Sequence, residues 1–181
     1  MRVTFPRLPD HDVAYAVVER DDGVVYRLLC GRAGTTLPHD IVHLVTEREL
    51  GVGDGIWGGI AAGMVFTSMR HLRGRRRPHA TERSALLKRA YRDRIMRSEL
   101  LGGLVETIAA LDNPSSDEIR RLTGSKLATL RMPSPPSPEA LAATARTLQV
   151  EAARWARLRP GEELHYEWAL PVPHQMPRRR R

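Results

Sequence analysis

Val13-Ala14-Tyr15-Ala16-Val17-Val18-Glu19-Arg20-Asp21-Asp22-Gly23-Val24-Val25-Tyr26-Arg27-Leu28-Leu29-Cys30 carries the strongest β signal in the chain. Two segments rich in Val and Tyr, Val13 to Arg20 and Val24 to Cys30, flank Asp21-Asp22-Gly23, where glycine can take the positive φ of a tight turn. The stretch therefore predicts a β-hairpin. At the far end Leu164, Tyr166, Trp168 and Leu170 alternate with Glu163, His165, Glu167 and Ala169, which puts the large apolar groups on one face of a further strand. Val3 to Phe5 is expected as a third, edge strand. The fold class that follows is α+β, a small antiparallel sheet from both termini packed against four or five helices.

The middle of the chain reads as helical. Thr36 is a candidate cap for a helix from Leu37-Pro38 to Leu50, ended by Gly51, and a second helix is expected over Gly55 to His71. Beyond the Arg-rich loop Arg73 to Pro78, Thr81 can cap a long third helix whose later half carries Leu101, Leu104, Val105, Ile108 and Leu111 on one stripe, with Gly102-Gly103 as a bend. Ser115 and Glu118 have capping-box spacing for a short helix to about Leu130. Met132 to Ser137 reads as a proline linker, and a last helix opens at Ser137-Pro138-Glu139 with the seam Leu141, Ala145, Leu148, Ala152, Trp155. These elements form one expected domain over 1–174 (a β-hairpin region 1–31, a helical region 36–158 and a C-terminal strand 162–171), followed by a basic tail, 175–181.

Composition excludes several classes. The 181 residues hold a single cysteine, Cys30, so no intramolecular disulfide and no Cys-built zinc ribbon can form, and a reducing, cytoplasmic setting is expected. Met1 to Asp10 is strand-like and broken by Pro6 and Pro9, unlike a signal peptide. The most apolar stretch, Gly51 to Met69, is interrupted by Asp54 and by glycines and falls short of the roughly 20 apolar residues of a membrane span. The net charge of +8 is concentrated: Arg70 to Arg97 holds eleven basic residues against two acids, and Arg178 to Arg181 adds four more. Such a stretch can attract a polyanion. Yet 27 of the 29 basic residues are arginine throughout the chain, and Tyr91 is the one aromatic residue between Arg70 and Arg97, so stacking platforms for single strands are missing. On a helical wheel Lys88, Arg89 and Arg92 share one face while Arg83 and Arg94 share the side of Leu87 and Ala90, a scatter unlike a DNA-reading helix. The inward arginines can instead pair with acids or hold an anion.

The one constellation that points to chemistry is Leu37-Pro38-His39-Asp40-Ile41-Val42-His43-Leu44-Val45-Thr46-Glu47. On a helix, with His39 at zero, His43 falls at about 40°, Glu47 at about 80° and Asp40 at about 100°, so four potential ligands share a quadrant. Two imidazoles one turn apart can grip one ion, and Glu47 can ligate it or orient an imidazole. The same quadrant lies off the apolar stripe and equally describes a solvated face. Further donors would come from His71, His79 or His165, since His11 and His174 lie in Pro-flanked ends. Gly55, Gly59 and Gly63 leave the second helix with a side-chain-free groove, either for close packing or for a ligand beside the histidines. This glycine helix is the expected cover of the histidine quadrant.

Over these dozen residues the chain resembles the HDxxH motif of the ubiquinone-biosynthesis accessory family, whose His, Asp and second His bind zinc with a Glu after an eleven-residue gap. The resemblance implies His39, Asp40 and His43 as ligands; the position after the gap is Gly55. Leu37 to His43 also resembles the His-Asp doublet of HD-type phosphohydrolases, which implies His39 and Asp40 as ligands and a further His on a preceding helix, where this chain has its hairpin. Zincin proteases carry Glu directly after the first His, and Asp40 in that place argues against a protease.

The functional expectation is a metal-dependent protein, an enzyme or enzyme-derived, of hydrolase or lyase type. Its metal ligands would be His39, Asp40, His43 and Glu47, its ion divalent with zinc favoured, and its catalytic base Glu47 or Glu49, acting on a small-molecule substrate. The alternative expectation is a binding protein for nucleic acid or an acidic partner through Arg70 to Arg97 and the Arg tail. A third is a scaffold that docks a protein on the Leu141 to Trp155 seam. No membrane span is expected, and a homo-oligomer is compatible with any of the three.

Overall fold

The computed structural model describes residues 1–9, 13–32, 34, 36–129, 132 and 134–171; the arginine tail, His11 and His174 lie outside them. Five strands, β1 (Arg2–Pro6), β2 (Val13–Glu19), β3 (Val25–Arg32), β4 (Met69–Arg73) and β5 (Glu163–Glu167), form one antiparallel sheet in the order β4-β3-β2-β1-β5. The hairpin of β2 and β3 turns on Gly23 at φ +78°, with the Gly23 amide bonded to Arg20 O at 2.9 Å. Their register pairs Val17 with Arg27 and Val18 with Tyr26.

β1 is a central strand, not the expected edge, because β5 pairs along its free side with Val3 opposite Tyr166 and Phe5 opposite Leu164. The alternation seen in the sequence is the reason. Val3, Phe5, Ala14, Ala16, Val18, Tyr26, Leu28, Leu164 and Tyr166 are all buried on the face that meets the helices. Phe5 meets Trp57 and Tyr166 edge-on, with centroids 6.2 and 5.8 Å apart, and so ties both chain ends to the helical layer.

Among the described residues the middle of the chain forms six helices: α1 (His39–Glu49), α2 (Ile56–Ala62), α3 (Ala80–Ala90), α4 (Arg92–Ala109), α5 (Ser116–Thr129) and α6 (Pro138–Arg157). Three boundaries differ from expectation. α1 has Pro38 at its N-cap with no side-chain cap bond, so Thr36 does not cap it. The second helix stops at Ala62, where Gly63 takes a left-handed C-cap at φ +117°, and Met69–Arg73 becomes β4 on the open side of β3. The long third helix breaks at Tyr91, whose buried ring lies under the Arg94 guanidinium at 4.6 Å, while Gly102-Gly103 continue inside α4.

Two capping expectations hold. Ser115 and Glu118 bond reciprocally, Ser115 N to Glu118 Oε2 at 2.8 Å and Glu118 N to Ser115 Oγ at 3.3 Å. Ser137 Oγ accepts from Ala140 N at 3.2 Å ahead of Pro138. The α6 seam buries Leu141, Ala145, Leu148 and Trp155 within the molecule's own core, with Ala152 half-buried. α4 packs on α6 and α1, and α1 also packs on α6, α2 and β3, which makes it the middle of the helical layer. No described helix is long and apolar enough to cross a membrane.

Candidate metal centre

α1 was expected to bury one stripe, yet every residue from Ile41 to Glu47 is buried. Ile41, Val42, Leu44 and Val45 join the core, a gain of roughly 1.5–3 kcal/mol each on leaving water. That burial fixes how α1 is rotated, and its polar quadrant then meets α4 and the start of α2 rather than solvent. A polar group placed there must find partners.

His43 and Glu47 solve this in different ways. The Glu47 carboxylate reaches the N-terminus of α2: Oε1 accepts from Ile56 N at 2.7 Å, Oε2 from Trp57 N at 3.0 Å, and Ser98 of α4 donates to Oε1 as well. Glu47 is thus a cap supplied from another helix, satisfying amides that α2 leaves open. Gly55 makes room for it, because a Cβ there would come within 2.5 Å of the carboxylate carbon. Burial raises the Glu47 pKa to about 7, against the lowering effect of the Ser98, Ile56 and Trp57 bonds.

His43 faces α4. Its Nε2 lies 2.9 Å from His39 Nε2 and 3.2 Å from Glu99 Oε2, and His39 Nε2 is 3.9 Å from the same carboxylate oxygen. His39, His43 and Glu99 form the one group of three His, Cys, Asp or Glu side chains among the described residues whose donor atoms converge closely enough for a metal ion. Gly102 permits the approach of α4, since a Cβ at that position would stand 2.9 Å from the His43 ring. Glu106, two turns beyond Glu99, places Oε2 3.8 Å from His39 Nδ1. His43 is 3% exposed at its side chain, whereas His39, Glu99 and Glu106 are each about half exposed. The group is anchored in the interior at one end and open to solvent at the other.

The charges follow this arrangement. Burial by itself would lower the His43 pKa, but the Glu99 hydrogen bond and the charges of Glu99, Glu47 and Asp40 outweigh it and the net shift is upward. The His43 bond holds Glu99 below the usual carboxylate range. Asp40, the remaining expected ligand, faces the Cys30 thiol of β3; burial raises its pKa, and burial together with the Asp40 charge pushes the thiol up.

Of the residues expected at the site, the fold brings His39 and His43 together and places Asp40 and Glu47 elsewhere. Glu49 lies at the end of α1, bonded to Arg48 at 3.0 Å. His71 contacts Gly74 O at 2.9 Å, His79 forms the N-cap position of α3, and His165 contacts Thr4 Oγ1 at 3.1 Å, so none of them joins the group. The glycine helix α2 meets α1 at Glu47 and at the Asp40 carbonyl and adds no donor to the histidine group. Its expected groove is filled by the Glu47 carboxylate at Gly55 and by Met64 at Gly59. Glu99 and Glu106 were not singled out from the sequence, although their seven-residue spacing around Gly102-Gly103 was a usable signal: two acids on one helix face beside a position free of side chains. No protein-family model, no curated protein and no solved structure matches the chain.

Proposed function

We propose that the protein binds a divalent metal ion, zinc in the first place, through His39, His43 and Glu99, and acts as a metal-dependent hydrolase on a small-molecule substrate. The observation that carries the reading is the spacing of the three donor atoms. Ligands about 2.1 Å from a tetrahedral ion stand about 3.4 Å apart, and the separations of 2.9, 3.2 and 3.9 Å bracket that value. Two imidazoles and one carboxylate are also the donor set of catalytic zinc sites, in which a fourth position stays open. The resemblance of Leu37 to His43 to HDxxH metal proteins supports the two histidines.

A bound ion would lower the pKa of a water in the open position and polarise a substrate oxygen. The chain's own contributions are separate. The buried ring of His43 fixes one donor, Gly102 lets α4 bring Glu99 to it, and the solvent side of His39 leaves space for substrate. Glu106, half exposed and 3.8 Å from His39, is placed to accept a proton on that open side, the role expected of Glu47 or Glu49.

Metal analysis of untagged protein tests this. About one equivalent of zinc is expected, lost in His39→Ala and in His43→Ala, with affinity falling about 10–100-fold in Glu99→Gln. Asp40→Asn is expected to keep its metal and separates the Glu99 site from an HDxxH-type one. Wild-type protein that holds no metal, and whose melting temperature does not rise with added zinc, would remove the proposal.

A further inference from the structure

A second cluster of charge uses none of the residues of the histidine site. Arg20 after β2, Arg76 and Arg77 in the loop before α3, and Arg83 within α3 line one cleft together with Asp22 and Ala80, the first residue of α3. Its open space, mouth included, is about 440 Å³. Arg20, Arg76 and Arg77 against Asp22 leave an excess of two positive charges. Arg2 and Arg73, by contrast, stand on Glu19, Arg94 on Asp54 and Arg154 on Glu151, each beside an acid. Like charges gathered in a recess repel one another unless an anion joins them.

The cluster is built rather than loose. Asp22 bonds Arg20 Nη2 and lies 3.9 Å from Arg77 Nε, so one carboxylate orients two guanidiniums and cannot neutralise both. The Tyr26 ring lies 5.8 Å from the Arg20 guanidinium carbon, and the Arg20 side chain is only 11% exposed. Arg20 Nε is buried with no hydrogen-bond partner, a cationic donor lacking an acceptor. Arg76 Nη2 donates to Thr81 Oγ1 at 3.0 Å, which holds the loop on the start of α3. α3 has His79 at its N-cap in a left-handed conformation, φ +56°, with no side-chain cap bond, so the positive end of an 11-residue helix adds its open amides beside the arginines.

We propose that this cleft binds one phosphate group, either inorganic phosphate or the phosphomonoester of a small molecule. A carboxylate is satisfied by one bidentate arginine, whereas a tetrahedral dianion can use donors arriving from several directions, as they do here. A duplex lying across the surface would meet the exposed loop arginines and leave the recessed Arg20 untouched.

Calorimetric titration of the full chain in chloride buffer with inorganic phosphate, and separately with glycerol phosphate, tests the proposal. One equivalent is expected to bind with a Kd of about 1 mM or tighter. Tighter binding of glycerol phosphate identifies a phosphomonoester site; equal or weaker binding identifies a site for free phosphate. Arg20→Gln and Arg77→Ala should each weaken the better ligand about tenfold. Arg77 is half exposed, so Arg77→Ala keeps the fold and carries the test even where Arg20→Gln does not. No heat and no rise in melting temperature at about 10 mM of either ligand overturns the proposal. So does an affinity unchanged in Arg77→Ala, or phosphate displaced by sub-micromolar duplex DNA, which would mark an extended surface instead.

Discussion

Glu47 shows how one carboxylate can look like a ligand and serve as a cap. Its side chain is 1% exposed, and three donors from two other helices converge on it. Because its folded-state pKa of about 7 lies above the ordinary 4.5, the folded protein keeps a proton between these values that the unfolded chain has lost. The stability it contributes is fully present below about pH 4.5 and is lost as the pH rises through 7. The wild type should therefore lose roughly 2–4 kcal/mol between pH 5 and 8 relative to Glu47→Gln, read from denaturant melts of both proteins. Parallel pH profiles of the two would show that Glu47 is ionised throughout. Glu47→Ala leaves the Ile56 and Trp57 amides without acceptors and should cost about 2–4 kcal/mol at pH 5, less as the pH rises through 7, while zinc stoichiometry is kept.

At the scale of elements, the contact between α1 and α4 depends on adjacent glycines with opposite roles. A Cβ on Gly102 would stand 2.9 Å from the His43 ring, whereas one on Gly103 meets nothing within 4 Å. Gly103→Ala should stabilise the protein by about 0.5–1 kcal/mol, because alanine favours a helix interior and limits the unfolded chain. Gly102→Ala should destabilise it by about 1–3 kcal/mol and weaken metal binding, since the ring or the helix must shift. Thermal melts and zinc titrations of the two variants check this directly; similar behaviour of the pair would mean that α4 does not close on His43. Gly102-Gly103, a bend on sequence grounds, continue the helix. A glycine pair announces missing side chains, but not which neighbour uses the space.

Across the whole molecule the arginines between Arg70 and Arg97 spread over β4, a loop, α3 and α4, and several are engaged: Arg73 with Glu19, Arg76 with Thr81, Arg77 near Asp22 and Arg94 with Asp54. Duplex DNA should accordingly bind weakly, without sequence preference, and lose its affinity steeply as salt is raised. Sub-micromolar binding at physiological salt that disappears in the triple variant Arg75→Ala, Arg76→Ala, Arg77→Ala would favour the nucleic-acid reading instead. Local pattern determined much of the architecture. The hairpin about Gly23, the alternation of β5, the caps at Ser115 and Ser137 and the α6 seam depend on residues within one or two turns of each other, and such interactions are written in spacing. β4 and the central place of β1 were decided by tertiary pairing, because a strand's neighbours are set by which edges remain free once the hairpin forms. The site divides in the same way. The pairing of His39 with His43 follows from one helical turn, while the approach of Glu99 rather than Asp40 or Glu47 to the two rings depends on the rotation of α1, which burial of Ile41, Leu44 and Val45 imposes and which only the assembled core can specify.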